Sequence, residues 1–384
     1  MTRSVFLCLF TATALLAANP PARFREHVLA TDLKGGYQVV VADLNHDGKP
    51  DIIALASGMH DLYWFENPGW QRHVLVSGRN HMINLAAWDT DGDGIPEIAL
   101  ADEFAMQAKN SIGFVSLLRH NGDPTQPWSV TEIDRLTTSH RLRWADIDGS
   151  GHKFLINAPL TGAQATPPDY RTHVPLVYYR PGEWKRRVIA DDNEGVQHGI
   201  YIVDWDGNGR DAILTASFSG IALYRYGKDG KWTHTVITTG DPAPWPKCGS
   251  SDIAVGHIGK TRFIGAIEPW HGNQVAVYTQ KSGKWRRNVI DTGLVDGHTL
   301  WTGDFNGDGR DEIIAGYRGK GHQVLLYSCQ DKRAEHWTRS VIDDGGMSAA
   351  ACAIADLNGD GRPDIACIGS ATANLKWYEN LGWK

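Results

Sequence analysis

Several features that mark common protein classes are scarce or missing in this sequence. Its five cysteines in 384 residues form no framework of the kind that small disulfide-rich domains use, although one pair among the last four could form a disulfide. The formal net charge is −6 and no basic run is present, which argues against a nucleic-acid partner. No apolar stretch reaches the roughly 20 residues that a membrane-spanning helix needs. These absences predict a folded protein that neither spans a membrane nor binds nucleic acid.

The first 18 residues have the layout of a secretory signal. Arg3 supplies a basic start, an apolar run extends from Val5 to about Leu16, and the small residues Ala17 and Ala18 follow it. We therefore expect a secreted or periplasmic protein, with a signal peptide at residues 1–18 and one mature domain at residues 19–384.

An acidic loop punctuated by glycine recurs along the chain. It reads ADLNHDGKPDII from Ala42, and its relatives are WDTDGDGIPEIA, VDWDGNGRDAIL, GDFNGDGRDEII and ADLNGDGRPDIA. The first acids of the loops are Asp43, Asp89, Asp146, Asp204, Asp304 and Asp356. The long interval before Asp304 contains one more unit, DIAVGHIGKTRFIGAI, which keeps the apolar pattern but has lost the acids. The chain therefore contains seven repeats.

A second motif gives the same count. Six strands that begin with tryptophan lie just upstream of a new unit: WQRHVLV, WSVTEID, WKRRVIA, WTHTVIT, WRRNVID and WTRSVID. The seventh is FREHVLA at residues 24–30, whereas the C-terminal unit stops before its own outer strand. Periods of about 40 to 50 residues with four short strands indicate a β-propeller. We predict an all-β, seven-bladed propeller of four-stranded blades, closed by the N-terminal strand completing the C-terminal blade.

Four of the loops have the side chains of a calcium site. They place oxygen ligands at positions 1, 3, 5 and 9 and a glycine at position 6, and such flexible oxygen-only sites suit Ca²⁺. The alternative is a plain acidic turn. The predicted ligands are Asp43, Asn45, Asp47, Asp51, Asp89, Asp91, Asp93, Glu97, Asp304, Asn306, Asp308, Glu312, Asp356, Asn358, Asp360 and Asp364. Two other loops have Phe154 or Ala212 at position 9 and should bind calcium weakly or not at all.

Polar side chains are expected at the opposite end of the channel, where the inner strands begin. The seven strand starts are Tyr37, Ile83, His140, His198, Ser250, His298 and Ala350, and His81 stands two residues before one of them. Loops on the same face add His60, Tyr170, Arg171, Trp270, His271, Tyr317 and Arg318. A single histidine at a strand start is more often a packing residue, but several at one channel mouth favour a functional site.

The residue types at this mouth suit β-elimination. Arg141 and Arg143 lie on an inner strand where apolar residues are the norm, so they need either an internal aspartate or an anionic ligand as partner. Arginine can neutralise a carboxylate while histidine and tyrosine transfer protons. Neither a Gly-x-Ser-x-Gly motif nor a carboxylate pair outside the acidic loops indicates hydrolysis. The imidazoles are also a candidate Zn²⁺ site, although no histidine spacing fixes a ligand set.

The acidic loops resemble the FG-GAP/VCBS repeats of integrin-like and bacterial extracellular propellers, over nearly the whole mature chain. The segments HDLYWFENPGW, SHRLRWADIDG and QHGIYIVDWDGNG resemble those of propeller polysaccharide lyases, such as ulvan and rhamnose-glucuronate lyases, and of the aldos-2-ulose dehydratase propeller. The resemblance implies that arginine binds a uronate carboxylate while histidine and tyrosine act as base and acid. By motif position the catalytic residues would be His60, His81, Arg141 or Arg143, and His198. No tyrosine lies between His81 and Arg141, where those lyases have one, so Tyr170, Tyr178 or a histidine would replace it.

We therefore expect a monomeric carbon–oxygen lyase or sugar dehydratase that acts on an anionic oligo- or polysaccharide or on a keto-sugar. The residues expected to bind the substrate are His140, Tyr170, Trp270, His271, His298, Tyr317 and Arg318. The alternative is a non-catalytic propeller that binds a glycan or a protein.

Overall fold

The computed structural model describes residues 22–383, so the predicted signal peptide lies outside the described residues. Within this range, 28 strands form seven antiparallel sheets of four strands each. The helical structure described there is one 3-10 turn, Ala108–Asn110, and no described helix is long and apolar enough to cross a membrane. The predicted seven-bladed β-propeller is confirmed.

Each blade runs from an inner strand at the channel to an outer strand at the rim. Blade 1 comprises β2 (Gly36–Ala42), β3 (Asp51–Ala56), β4 (Leu62–Glu66) and β5 (Gln71–Val76). Blade 2 comprises β6 (Asn84–Trp88), β7 (Glu97–Asp102), β8 (Phe114–Arg119) and β9 (Ser129–Arg135). Blade 3 comprises β10 (Ser139–Ala145), β11 (Phe154–Pro159), β12 (His173–Tyr179) and β13 (Arg187–Glu194). Blade 4 comprises β14 (Gln197–Val203), β15 (Ala212–Ser217), β16 (Gly220–Tyr226) and β17 (Trp232–Thr238). Blade 5 comprises β18 (Asp252–Ile258), β19 (Thr261–Glu268), β20 (Gln274–Lys281) and β21 (Lys284–Asp291). Blade 6 comprises β22 (Gly297–Gly303), β23 (Glu312–Tyr317), β24 (Gln323–Cys329) and β25 (Trp337–Asp344). Blade 7 comprises β26 (Ala349–Ala355), β27 (Asp364–Gly369), β28 (Leu375–Trp383) and the N-terminal β1 (Ala22–Ala30).

The N-terminal strand closes the ring, as predicted. β1 pairs antiparallel with β28, with Phe24 opposite Asn380 and Val28 opposite Lys376. The Lys376 ammonium donates to Glu26 of β1 at 3.0 Å and to Asp343 of blade 6 at 2.9 Å. One buried lysine therefore ties both chain ends to the preceding blade.

The hydrophobic core lies between the blades. Leu55 and Trp64 of blade 1, for example, pack in one cluster with Leu85 and Leu100 of blade 2. All six residues of β3 are buried, because each blade is covered on both faces by its neighbours. The hydroxyl of Tyr179 in blade 3 adds a polar tie by donating to Asp134 of blade 2 at 2.6 Å.

Blade 5 shows why one repeat lacks the acidic loop. A short turn between Ile258 and Thr261 replaces the loop. Gly256 stands where the first acid would be, and a Cβ there would come within 2.3 Å of the Phe263 ring. An aspartate would not fit at this position.

One disulfide joins neighbouring strands of blade 7. Cys352 of β26 and Cys367 of β27 are opposite each other in the sheet and are bonded, whereas Cys248 and Cys329 are free thiols. The bridge therefore supports the blade that the N-terminal strand completes.

Candidate functional site

Four histidines meet at the channel end opposite the acidic loops, and we call His140, His198, His271 and His298 the histidine cluster. The ring of His198 lies 5.0 Å from His140, 4.9 Å from His271 and 5.0 Å from His298, between centroids. Three of the four come from the starts of inner strands, and His271 comes from the loop between β19 and β20. The symmetry of the blades thus brings the predicted strand-start histidines together.

Three imidazoles of this cluster present one nitrogen each to a common space. The Nδ1 atoms of His198 and His298 lie within hydrogen-bond distance of backbone carbonyls, of Ser251 at 3.1 Å and of Ala350 respectively. A carbonyl can only accept, so each Nδ1 carries the proton and each Nε2 presents a lone pair, which in His198 lies 3.4 Å from Nη2 of Arg141. Asp296 Oδ1 lies 3.2 Å from Nδ1 of His271 and fixes the same tautomer there.

The three Nε2 atoms are close enough to share a cation. Ligand atoms of His198, His271 and His298 all lie within 4.8 Å of one another. Nε2 of His198 is 3.3 Å from Nε2 of His271, and Nε2 of His298 is buried without a hydrogen-bond partner among the described residues. Two lone pairs that face each other at this distance repel unless a proton or a metal ion lies between them.

Burial keeps the histidine cluster neutral. It lowers the pKa of His140, His198 and His298 well below the ordinary value, and the charge of nearby arginines lowers it further. Burial also lowers the pKa of His271, although the bond to Asp296 opposes that shift. Neutral imidazoles are the form that binds a metal ion or accepts a proton.

Two arginines border the histidine cluster, and one of them has a carboxylate partner whereas the other has none among the described residues. Arg141 is buried and points its Nη1 and Nη2 at the Nε2 atoms of His140 and His198, at 3.5 and 3.4 Å. No described carboxylate lies within 4.0 Å of it. Arg318 instead makes two bonds to Asp296, at 3.1 and 3.0 Å. Arg141 therefore holds the positive charge that remains unpaired.

Tyr37 is a site residue that the sequence analysis did not select. Its hydroxyl is hydrogen-bonded to Nε2 of His140 at 2.8 Å, and its ring lies 5.3 Å from that of His298. The signal was present in the sequence, because Tyr37 occupies the same repeat position as the three strand-start histidines. Tyr37 therefore places a phenol in direct contact with the histidine cluster.

Two clefts open above the histidine cluster, one on each side of Trp270 and His271. The first has a volume of about 540 Å³, and its lining includes Tyr37, His81, Phe104, Met106 and Arg318. The second has a volume of about 610 Å³, and its lining includes Tyr170, Phe218, Pro246, Lys247 and Asp296. The indole nitrogen of Trp270 is buried without a hydrogen-bond partner among the described residues. It could therefore donate to a ligand oxygen.

Four of the twelve described non-glycine residues with a left-handed backbone line these clefts. His81, Tyr170, His271 and Asp296 have φ angles of 47°, 51°, 49° and 61°, in the left-handed region that residues other than glycine rarely adopt. Such conformations cost about 1–3 kcal/mol each and cluster at active sites and ligand clamps. The strain is independent of the side-chain chemistry and marks the same place.

Five of the predicted residues line the clefts, namely His81, Tyr170, Trp270, His271 and Arg318, whereas His140, His198 and His298 belong to the histidine cluster and His60, Arg141, Arg143 and Tyr317 line neither cleft. His60 is exposed, and its Nδ1 lies 3.3 Å from the carbonyl oxygen of Arg79, outside the lining of both clefts. Tyr317 is buried in the core, where its hydroxyl bonds to Gly321 of its own hairpin. Arg143 lies two residues after Arg141 on β10, and both arginines line the central channel and neither cleft. Successive same-face residues of a strand are about 7 Å apart, so the two arginines lie at different depths.

The acidic loops at the other face fold back so that their carboxylates lie close together. In the first loop Asp43 accepts the backbone N–H groups of Asp47 and Gly48, at 3.1 and 2.8 Å, which curls the loop around its carboxylates. In the second, ligand oxygens of Asp89, Asp91 and Glu97 lie within 4.8 Å of one another.

The last acid of the loop is buried in three other cases. Burial, with the charge of neighbouring carboxylates, raises the pKa of Asp51 to about 6, of Glu312 to about 8 and of Asp364 to about 6. Each carboxylate still accepts a backbone N–H near the start of its loop. The buried acid of each loop therefore lies close to other carboxylates of the same loop, while the exposed acids Asp47, Asp308 and Asp360 pair with basic side chains.

Comparisons with known proteins agree with the sequence resemblance. A family model described as the β-propeller domain of aldos-2-ulose dehydratase matches residues 112–281, and a model of FG-GAP-like repeats matches residues 43–100 and 304–367. Aldos-2-ulose dehydratase of Phanerodontia chrysosporium is 25% identical over 391 residues, which cover 87% of this chain and 42% of that protein. The chain thus spans less than half the length of this curated relative.

Solved structures show the same fold at low sequence identity. An exotype rhamnogalacturonan lyase aligns with a TM-score of 0.51 and 14% identity over 95% of this chain and 75% of its own. An Agrocybe aegerita lectin that recognises non-reducing terminal N-acetylglucosamine aligns with a TM-score of 0.53 and 14% identity over 91% of this chain and 86% of its own. The chain is therefore a seven-bladed β-propeller with FG-GAP-like repeats, whose blades are similar to the propeller domain of aldos-2-ulose dehydratase.

Proposed function

We propose that this chain is a carbohydrate-active carbon–oxygen lyase or dehydratase that works by β-elimination at the histidine cluster. The observation that carries the proposal is the convergence of three neutral imidazoles beside an unpaired arginine and a tyrosine. The similarity to a sugar dehydratase supports it, because removal of water from a sugar is itself an elimination. The substrate would be a uronate-containing glycan or a keto-sugar.

The charged groups suit the electron flow of this reaction. Elimination begins when a base removes the proton next to a carbonyl or carboxylate group, which then gains negative charge. Arg141 lies where its guanidinium could bind that group, and a fixed cation stabilises the charge as it develops. Arg318, held by Asp296, lines the first cleft, beside His81, and would orient the sugar.

His198, His271 and His298 would hold a divalent ion such as Zn²⁺. The three Nε2 lone pairs fit it, and each opposite Nδ1 is fixed by a carbonyl or carboxylate, as in established zinc sites. Zinc bound there would polarise a carbonyl or carboxylate oxygen and so lower the pKa of the proton on the adjacent carbon.

Proton transfer would then fall to Tyr37 and His81. Tyr37 is hydrogen-bonded to His140, whose neutral Nε2 can take the hydroxyl proton as the phenol oxygen takes one from carbon. His81 lines the same cleft from its strained loop and is exposed, so it could protonate the departing oxygen. His198, expected from the sequence to transfer a proton, serves in this scheme as a metal ligand.

The acidic loops would bind Ca²⁺ and stabilise the fold, without a part in the reaction. Their oxygen-only side chains and clustered carboxylates support this role. They lie at the opposite ends of the inner strands from the histidine cluster, so calcium would act on stability and not on the elimination.

The test is direct detection of the unsaturated product. The full-length protein would be incubated with zinc and calcium and with either uronate-containing glycans or 2-keto-sugars, and ultraviolet absorbance of the new double bond would be followed. We expect Tyr37→Phe and His81→Ala each to lower turnover by roughly 10²-fold or more, as loss of a general acid or base typically does.

The matched control is Tyr226→Phe, since Tyr226 packs in blade 4 against Trp232, away from the clefts. It should retain wild-type turnover. Binding of these sugars without any unsaturated product would contradict the proposal and favour the non-catalytic, glycan-binding alternative.

A further inference from the structure

The central channel below the histidine cluster is a cavity of about 380 Å³ lined by inner strands. Much of its wall is aliphatic and includes Val41 and Ile202. Its charged groups are unbalanced, because Arg141 and Arg143 line it whereas Asp252 is the one carboxylate among its described lining residues. The channel therefore encloses more positive than negative charge.

The guanidinium of Arg143 has few partners within the protein. Its Nη1 donates to the backbone oxygen of Leu142 at 2.8 Å and lies 3.4 Å from Oδ1 of Asn84. Its other donors have no acceptor among the described residues, and no described carboxylate lies within 4.0 Å. A guanidinium has five N–H donors and is very seldom buried without a partner. The Arg143 guanidinium therefore presents unpaired N–H donors to the channel.

Asp252 does not supply the missing partner. Its carboxylate accepts the backbone N–H of Leu300 at 3.0 Å, and burial raises its pKa to about 6 despite the attraction of Arg141 and Arg143. Burial also lowers the pKa of Arg143 to about 10, and repulsion from Arg141 contributes. These are the shifts of charged groups that are held apart in a poorly solvated space.

We propose that the channel binds a small organic carboxylate, with the carboxylate oxygens on Arg143 and the apolar part against the aliphatic wall. A planar guanidinium matches a carboxylate with two parallel hydrogen bonds. The half-buried rings of Trp88 and Trp301 border the end of the channel next to the acidic loops, and Lys153 lies 3.9 Å over the Trp88 ring there. An amphipathic anion would meet matching groups along this path. The lining of this site also includes Tyr37, Arg141 and His298, so the site adjoins the histidine cluster, but carboxylate binding can be measured whether or not the proposed reaction occurs.

The test is calorimetric titration of calcium-saturated, full-length protein with sodium bromide, sodium acetate and sodium hexanoate. Bromide probes charge alone, acetate adds the carboxylate, and hexanoate adds an apolar chain. We expect hexanoate to bind at least tenfold more tightly than acetate, because each buried methylene strengthens binding. Arg143→Met should weaken hexanoate binding at least tenfold. Arg180→Met is the matched control, since Arg180 is exposed and pairs with Glu183 at the surface, and it should change nothing.

Asp252→Asn supplies a second, independent test. It removes the carboxylate that repels the ligand, while the amide oxygen can still accept from Leu300, so hexanoate binding should tighten severalfold. Wild-type affinity in Arg143→Met, weaker binding in Asp252→Asn, or binding of bromide without hexanoate would each overturn the proposal. Because Asp252→Asn keeps the hydrogen bond to Leu300, it decides the question even if Arg143→Met does not fold.

Discussion

Asp296 should control the metal affinity of the histidine cluster, although it is not one of the three proposed metal ligands. Burial opposes ionisation of this carboxyl group, but hydrogen bonds from His271 and Arg318 hold its pKa below the ordinary value. Asp296 is therefore charged, and it both fixes Nδ1–H of His271 and raises the basicity of Nε2. Asp296→Asn keeps the size of the side chain but removes its charge.

The expected loss follows from the number of contacts that change. The amide can still accept one bond from His271, but it no longer pairs with both donors of Arg318, so the positive charge of Arg318 faces the imidazole uncompensated. Loss of such an outer partner typically weakens metal binding 10–100-fold, or about 1.4–2.7 kcal/mol. His298→Ala removes a ligand outright and should weaken binding more than Asp296→Asn does.

Zinc affinity would be measured by competition with a chromophoric chelator, in excess calcium so that the acidic loops do not take up zinc. Asp192→Asn is the matched control, because Asp192 is an exposed acid near the end of β13, and it should bind zinc as the wild type does. An Asp296→Asn protein that melts normally and binds zinc within twofold of the wild type would refute the assigned role of Asp296.

Three further outcomes are expected from melting curves. Excess chelator should lower the melting temperature and calcium should restore it, since a ligand of the folded state stabilises that state; an unchanged midpoint would argue against calcium loops. Deletion of residues 24–30 should destabilise the ring far more than removal of residues 1–18, because it exposes the edge of β28; equal stability would contradict the closure. Burial raises the pKa of Asp102 to about 6, so the folded protein holds this proton more tightly than the unfolded chain, where the pKa is near 4. The stability that the proton contributes is complete below pH 4 and is lost as pH rises through 6. The melting temperature of the wild type relative to Asp102→Asn should therefore fall between pH 4 and pH 7, and a constant difference would count against this shift.

The fold could be predicted because its signals are local and repeated. Each acidic loop fixes one hairpin and each Trp-led strand marks one outer edge, so two independent patterns gave the same number of blades. Closure could be predicted because the strand at residues 24–30 and the unfinished C-terminal unit complement each other. The fifth repeat could be recognised although its acidic loop is lost at Gly256, because the apolar pattern of β18 and β19 remained.

The candidate site could be predicted only where blade symmetry places residues. Symmetry brings strand starts to one channel, which is why His140, His198 and His298 meet. It says nothing about loop conformation, so the pairing of Asp296 with His271 could not be foreseen and His60 was placed too near the channel. Tyr37 shares the repeat position of the three histidines, but the resemblance to the lyases pointed to tyrosines after His81, and so to Tyr170 or Tyr178.

The charges of the two channel ends lead to a last prediction. The first acid of a loop directly follows an inner strand, as Asp89 follows Trp88 and Asp304 lies three residues after Trp301, so the acidic loops surround the end of the channel that these rings border. An anion entering there meets negative charge unless cations occupy the loops. This repulsion reaches about 30 Å at 0.01 M salt but only about 3 Å at 1 M. Chelation of calcium should therefore weaken hexanoate binding severalfold at low salt and hardly at all at high salt. Equal binding with and without calcium at low salt, in protein that remains folded, would refute the idea that the charge of the acidic loops acts on the bound anion.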